Sequence, residues 1–249
     1  MDPALLVFCA GLLAGAMNAA AGGGSFVSLP ALVLAGIPAL NANASSTVAL
    51  FPGSLSSAIA YRNDFKRFDN VSMPLMLVVS GSGGFTGALL LLFTPHATFD
   101  HLVAWLLLAG ALAFVFGGRA GAALRNFVRI GPRSLVFCQF LLCIYGGYFG
   151  GAISIMMMAL WSLVGFTDIK AMNAARSLYV GTTNSVASLV FVLAGLVAWT
   201  PTLIMLVAAI LGGYGGARFV RRLDPRHLRI AINVVNFVMT ALFFYRARH

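Results

Sequence analysis

Gly22-Gly23-Gly24-Ser25 interrupts an apolar run that extends from Ala4 to Ala35. Three consecutive glycines each cost a helix roughly 1 kcal/mol relative to alanine, so the run is expected to break there. The break has a counterpart in the back half, where Gly150-Gly151-Ala152-Ile153-Ser154 interrupts a second apolar run. The pieces that follow the breaks, 25–36 and 154–165, are each about 18 Å long as helices, against a bilayer core of about 30 Å. A re-entrant half-helix in each half is the expectation.

Composition sets the class around these breaks. Of 249 residues 60% are hydrophobic and 9% charged, and the mean hydropathy is +0.94. A soluble domain carries about 25% charged residues, so the chain reads as an integral membrane protein. Further apolar segments run 4–21, 44–61, 74–93, 102–117, 134–150, 172–195, 202–217 and 228–245, most of them close to the ~20 residues a span needs. The net charge of +10 is not a nucleic-acid footprint, because the basic residues sit in short loops between apolar segments, as cytoplasmic loops do. Cys9, Cys138 and Cys143 all fall inside apolar segments and read as small hydrophobes, with neither disulfide nor metal spacing. Met1-Asp2-Pro3-Ala4 carries no positive charge, so the first apolar segment is expected to be retained rather than cleaved.

The chain also repeats itself. A shift of 129 positions, without gaps, lays Gly22 on Gly151, Ser25 on Ser154, Gly36 on Gly165 and Ala42 on Ala171. Further on it lays Gly83-Gly84 and Gly87-Ala88 on Gly212-Gly213 and Gly216-Ala217. Asn43-Ala44 resembles Asn173-Ala174 one residue out of register. Two membrane repeats, 1–125 and 134–249, joined by a basic cytoplasmic connection at 126–133, are expected. Loop charges orient them. Arg62, Lys66 and Arg67 occupy 62–73 while 191–202 has no Lys or Arg, and 94–101 has none while Arg218, Arg221, Arg222, Arg226 and Arg229 crowd 218–230. Equivalent loops then lie on opposite sides of the membrane, so the repeats are inverted, with both termini outside, although Arg246 and Arg248 count against that placement.

Inverted repeats with a broken segment at the corresponding place in each half point to the binding site of a secondary transporter. A half-helix starting near Ser25 and another near Ser154 would turn unpaired N–H groups and a positive dipole end to the centre, and glycine lets an anion approach that backbone closely. Gly22, Gly23, Gly24, Ser25, Gly150, Gly151 and Ser154 are therefore candidate substrate contacts, the serines as caps or ligands. Asn43 and Asn173 join them because a buried amide in lipid is costly without a partner. Arg176, early in an apolar segment, either snorkels to the interface or holds an anion through its fork of donors. Gly11/Gly15, Gly83/Gly87, Gly117/Gly121 and Gly146/Gly150 also have the spacing of close helix packing.

Absences narrow the chemistry. The six acidic residues are all Asp and all in loops or at the terminus, as are the four His. A proton relay through side chains and a cationic substrate are both disfavoured. No GxxxxGK[ST], HExxH or paired carboxylate occurs, so neither an ATP-driven motor nor an enzyme is expected, and no cofactor or metal is called for.

Gly22-Gly23-Gly24-Ser25 with Leu29-Pro30 and Gly36, then Asn43-Ala44 with Ser46-Thr47, resembles the first-repeat signature of the TauE/SafE-type sulfite exporters, the TSUP permeases. Gly146-Gly147, Gly150-Gly151 and Met172-Asn173-Ala174 are similar to that family's second half, and Ala152-Ile153 departs from the pattern where the first repeat has Gly23-Gly24. The resemblance implies transport of sulfite or an organosulfonate across the bacterial cytoplasmic membrane. The expectation is an all-α multi-pass membrane protein of two inverted four-segment repeats. It would export a small sulfur-containing anion by alternating access, with lipid around it, no nucleic-acid partner and a homo-oligomer open. An anion channel and a non-transporting assembly subunit are the alternatives.

Overall fold

The computed structural model describes residues 2–66, 71–124 and 130–220, with 234, 237–238 and 240–241 beyond them. Arg67, Arg125, Arg129, Arg221, Arg222, Arg226, Arg229, Arg246 and Arg248, and almost all of the apolar segment 228–245, lie outside the described residues. The helices are α1 (Pro3–Ala21), α2 (Ser25–Leu34), α3 (Ala39–Ala60), α4 (Met73–Leu92), α5 (His96–Leu124), α6 (Pro132–Phe149), α7 (Ile153–Leu163), α8 (Ile169–Leu193) and α9 (Trp199–Val220). The chain is all-helical over these residues, and both glycine clusters fall between helices. Several helices begin before the apolar segments do, because caps and polar first turns extend them: Asp168 accepts from the N–H groups of Lys170 and Ala171 at the start of α8.

The short helices α2 and α7 end in the same way. Gly36 and Gly165 take φ of 92° and 83°, and Ile37 N–H and Phe166 N–H reach back to the carbonyls of Leu32 and Trp161. This is the six-to-one closure of a left-handed helix end, which glycine adopts without strain.

Glycines set the closest helix pairs. At Gly15 an added Cβ would collide with the Ala209 backbone of α9, and at Gly212 with that of Leu12 of α1. A Cβ on Gly87 of α4 would collide with the Ile144 backbone of α6, one on Gly147 of α6 with the Gly84 backbone of α4, and one on Gly84 with Thr183 of α8. Backbone-to-backbone approach of this kind replaces the hydrophobic drive that lipid does not supply. Polar ties add to it: Ser28 and Ser46 hydroxyls lie 2.6 Å apart between α2 and α3. The fully buried Gln139 of α6 accepts from Trp161 Nε1 of α7 at 3.1 Å and donates to Ser80 Oγ of α4 at 3.3 Å.

The outward surface is apolar. Val78, Phe85, Trp105, Phe137, Leu193 and Tyr214 are all exposed, while Ser45, Ser46, Ser80, Gln139 and Arg176 are buried. A molecule with its polar side chains inside and large apolar ones outside is suited to lipid rather than water. By length and composition two of the described helices, Met73–Leu92 and the stretch His96–Ala113 of α5, are apolar enough to cross a membrane. The helices α3 and α8, of 22 and 25 residues, have the length and carry many of the buried polar residues, among them Asn43, Ser46, Arg176 and Asn184.

Candidate functional site

The site forms because each chain break lies against the other half of the molecule. Gly22 ends α1 at φ 75°, and its N–H bonds the carbonyls of Met17 and Asn18. A Cβ built on Gly22 would sit 2.5 Å from Ser154 Oγ of α7 and 2.8 Å from Arg176 Nη1 of α8. At the other break, a Cβ on Gly150, φ 77°, would lie 3.3 Å from Thr47 Oγ1 of α3 and 3.9 Å from Ser25 Oγ of α2. Ser25 donates its hydroxyl to the Gly150 carbonyl at 3.4 Å. The partners of the two breaks, Ser154 with Arg176 and Ser25 with Thr47, are 129 positions apart in the sequence. One pair carries a guanidinium where the other has a hydroxyl, so the charge lies on one side.

On that charged side is a small polar cavity of about 20 Å³, lined by Asn18, Gly22, Ser54, Ser57, Ser154, Arg176, Ser177 and Val180. Arg176 is only 6% exposed. The ion pair found among the described residues is Lys66 with Asp168 at the surface, so no carboxylate among those residues neutralises the Arg176 guanidinium. A buried cation without a counter-charge is strongly unfavourable unless an anion supplies one. Ser154 stands in the first turn of α7, where the Ala152 carbonyl takes the N–H groups of Ile155 and Met156 but those of Ile153 and Ser154 precede any helical acceptor, and the positive dipole end adds to the same potential.

The candidates from the sequence therefore separate. Gly22, Ser154 and Arg176 share the cavity. Gly23 and Gly24 are buried behind it, and a Cβ on Gly24 would press on the Ala14 carbonyl of α1 at 2.5 Å. Ser25 and Gly150, both half-buried, form the uncharged side, Asn43 donates to the Tyr148 carbonyl at 2.8 Å beside it, and Gly151 abuts the Phe149 ring. Asn173 is half-buried on α8 and outside the cavity lining. Neither Ser25 nor Ser154 caps its helix: Gly24 and Ala152 occupy the N-cap positions, without a side-chain hydrogen bond. Ala152 has φ 59°, which is how the second break turns without a third glycine.

Sequence reasoning missed Asn18 altogether. Its signal was a lone amide four residues before the first break. Ser54, Ser57 and Ser177 were visible only as members of a polar cluster, and nothing but the α3–α8 contact selects them from their neighbours.

At the surface, Lys66 Nζ lies 2.6 Å from Asp168 Oδ2. That hydrogen bond, with the N–H of Ala171, holds the Asp168 carboxyl below the ordinary carboxylate range, and the same bond raises Lys66 above its ordinary value.

A helical molecule with an apolar exterior and a polar cavity at paired helix breaks has the build of a membrane transporter. The model of the family "Sulfite exporter TauE/SafE" matches residues 7–243, and the chain belongs to that family. It is 30% identical to a "Probable membrane transporter protein" of Haemophilus influenzae, covering 98% of this chain and 96% of the relative. It is also 30% identical to the "Probable membrane transporter protein YfcA" of Escherichia coli K12, over 98% and 91% of the two chains. A "Probable membrane transporter protein ORF9" of a Sinorhizobium species is 29% identical over 94% and 89%. No solved structure matches the chain.

Proposed function

We propose that the chain is a secondary transporter of a small sulfur-containing oxyanion, sulfite or an organosulfonate, in the bacterial cytoplasmic membrane, and not an enzyme. The observation that carries this reading is Arg176, buried against the Gly22 backbone and the Ser154 hydroxyl with no carboxylate among the described residues to neutralise it. The anion binds there, accepting from the guanidinium, from Ser154 and from the first N–H groups of α7. The family's description supplies sulfite and the outward direction.

The crossed contacts of the two breaks, with partners 129 positions apart, support two inverted repeats whose α1–α2 and α6–α7 units are re-entrant hairpins. A cavity of about 20 Å³ has room for about one water, so a sulfite ion enters only as the walls part. This supports alternating access, in which the two halves rock about the α3–α8 contact. Counterflow in proteoliposomes tests the reading. Sulfite uptake driven by sulfite trapped inside is expected, saturable and reduced at least tenfold in Arg176→Gln. Flux that neither saturates nor shows counterflow would make the protein a channel. Purified protein that neither binds nor moves an anion would leave it an assembly subunit.

A further inference from the structure

The cavity does not exhaust the buried polarity of α8. Asn184 Oδ1 and Ser188 Oγ are buried without a hydrogen-bond partner, their residues 9% and 4% exposed. At 100° per residue, Ser177, Asn184 and Ser188 project within about 40° of one another, so they continue the face of α8 on which Ser177 lines the cavity. That face meets α3. A Cβ on Gly181 would touch Leu55, and Asn41 of α3 donates to the Leu196 carbonyl at 2.9 Å. The Gly181 contact sets the register, and the Asn41 bond to Leu196 in the loop beyond α8 makes the two helices antiparallel, which brings Asn184 level with Pro52 and Ser188 level with Val48. Pro52 lies inside α3 and has no N–H, so the Val48 carbonyl lacks its usual helical donor.

We propose that the α3–α8 seam binds a sodium ion through Asn184 Oδ1, Ser188 Oγ and the Val48 carbonyl. Oxygen acceptors repel an anion. A proton has no titratable group to occupy there, and a divalent ion calls for carboxylates that this stretch lacks. A small monovalent cation is the ligand that neutral oxygens beside a carbonyl freed by a proline within a helix suit. Asn184 is seven positions from Ser177, roughly 10 Å along the helix axis. An anion that neutralises Arg176 lifts the repulsion on a cation at that range, which is worth about tenfold in affinity, and sodium raises anion affinity by the same factor.

The coupling rests on the anion reading; the ion site does not, and the experiment separates the two. The full-length protein in detergent is melted in sodium chloride and in choline chloride at equal ionic strength, and sulfite binding is measured in each. Sodium is expected to raise the melting temperature saturably, to tighten sulfite binding about tenfold, and to lose both effects in Asn184→Leu and in the nearly isosteric Ser188→Ala. Equal melting in the two salts overturns the site, as does a sodium response kept by both variants or a stability loss identical in both salts (a structural water only). Sulfite binding without any sodium effect removes the ion site and leaves the anion reading standing. Sodium stabilisation without sulfite binding does the reverse.

Discussion

Arg176 has its charge among hydroxyls and backbone, and its replacement separates a ligand from a packing role. Arg176→Gln keeps a polar side chain but gives up the charge-assisted hydrogen bonds, each worth about 1.5–3 kcal/mol. Anion affinity is expected to fall about 100-fold by calorimetry, while the unliganded protein melts no lower, since a buried unpaired cation is removed. Arg176→Lys keeps the charge without the fork and is expected to recover part of the affinity. Gly22 allows an equally sharp test. Alanine there meets a left-handed backbone cost of about 1–2 kcal/mol and collides with Ser154 and Arg176, so Gly22→Ala should abolish binding even where protein is recovered. The reading of Gly22, Ser154 and Arg176 as candidates was legible in the sequence because glycine, a lone membrane cation and a repeat are all local signals. Asn18 was not, because its place in the lining comes from a cavity that only the contact of α1, α3, α7 and α8 creates.

The elements follow the sequence closely in type and more loosely in their ends. Both breaks, both short helices and the Gly36 and Gly165 terminations could be read from glycine placement. The capping roles of Ser25 and Ser154 could not. A serine just before an apolar run looks like a cap, yet Ser25 turns away to the Gly150 carbonyl across 125 residues of sequence. The second break has its own test. Ala152 sits at φ 59° and is fully buried. Ala152→Gly should preserve transport, whereas Ala152→Val puts a β-branched residue in the left-handed region and should lower both the melting temperature and transport. An equal response to the two changes would show that this backbone turn is unimportant. The Gln139–Trp161 tie was invisible from sequence, where a glutamine in an apolar helix carries no indication of its partner.

Across the whole molecule, Lys66 and Asp168 join the connection between α3 and α4 to the start of α8 at the surface. The Asp168 carboxyl is depressed, so its stabilising contribution is present above the ordinary carboxylate pKa and is lost as pH falls through its lower folded value. Lys66 is raised, so its contribution is present below the ordinary lysine value and is lost as pH rises through the higher folded one. The tie therefore holds between those limits. The protection factors of the Lys170 and Ala171 amides, each taken against the intrinsic exchange rate at the same pH, should fall in Asp168→Ala and below the carboxylate range, and stay unchanged from pH 5 to 8. A protection factor that fell steadily between pH 5 and 8 would require a different titrating group. The central claim is that one buried cation at paired helix breaks holds an oxyanion. Calorimetric titration of the purified protein with sulfite, sulfate, thiosulfate and a sulfonate, in parallel with Arg176→Gln, tests it most directly. Saturable binding of a sulfur oxyanion that is lost in the variant is the predicted result; binding that survives the loss of Arg176, or no binding by either protein, would contradict it.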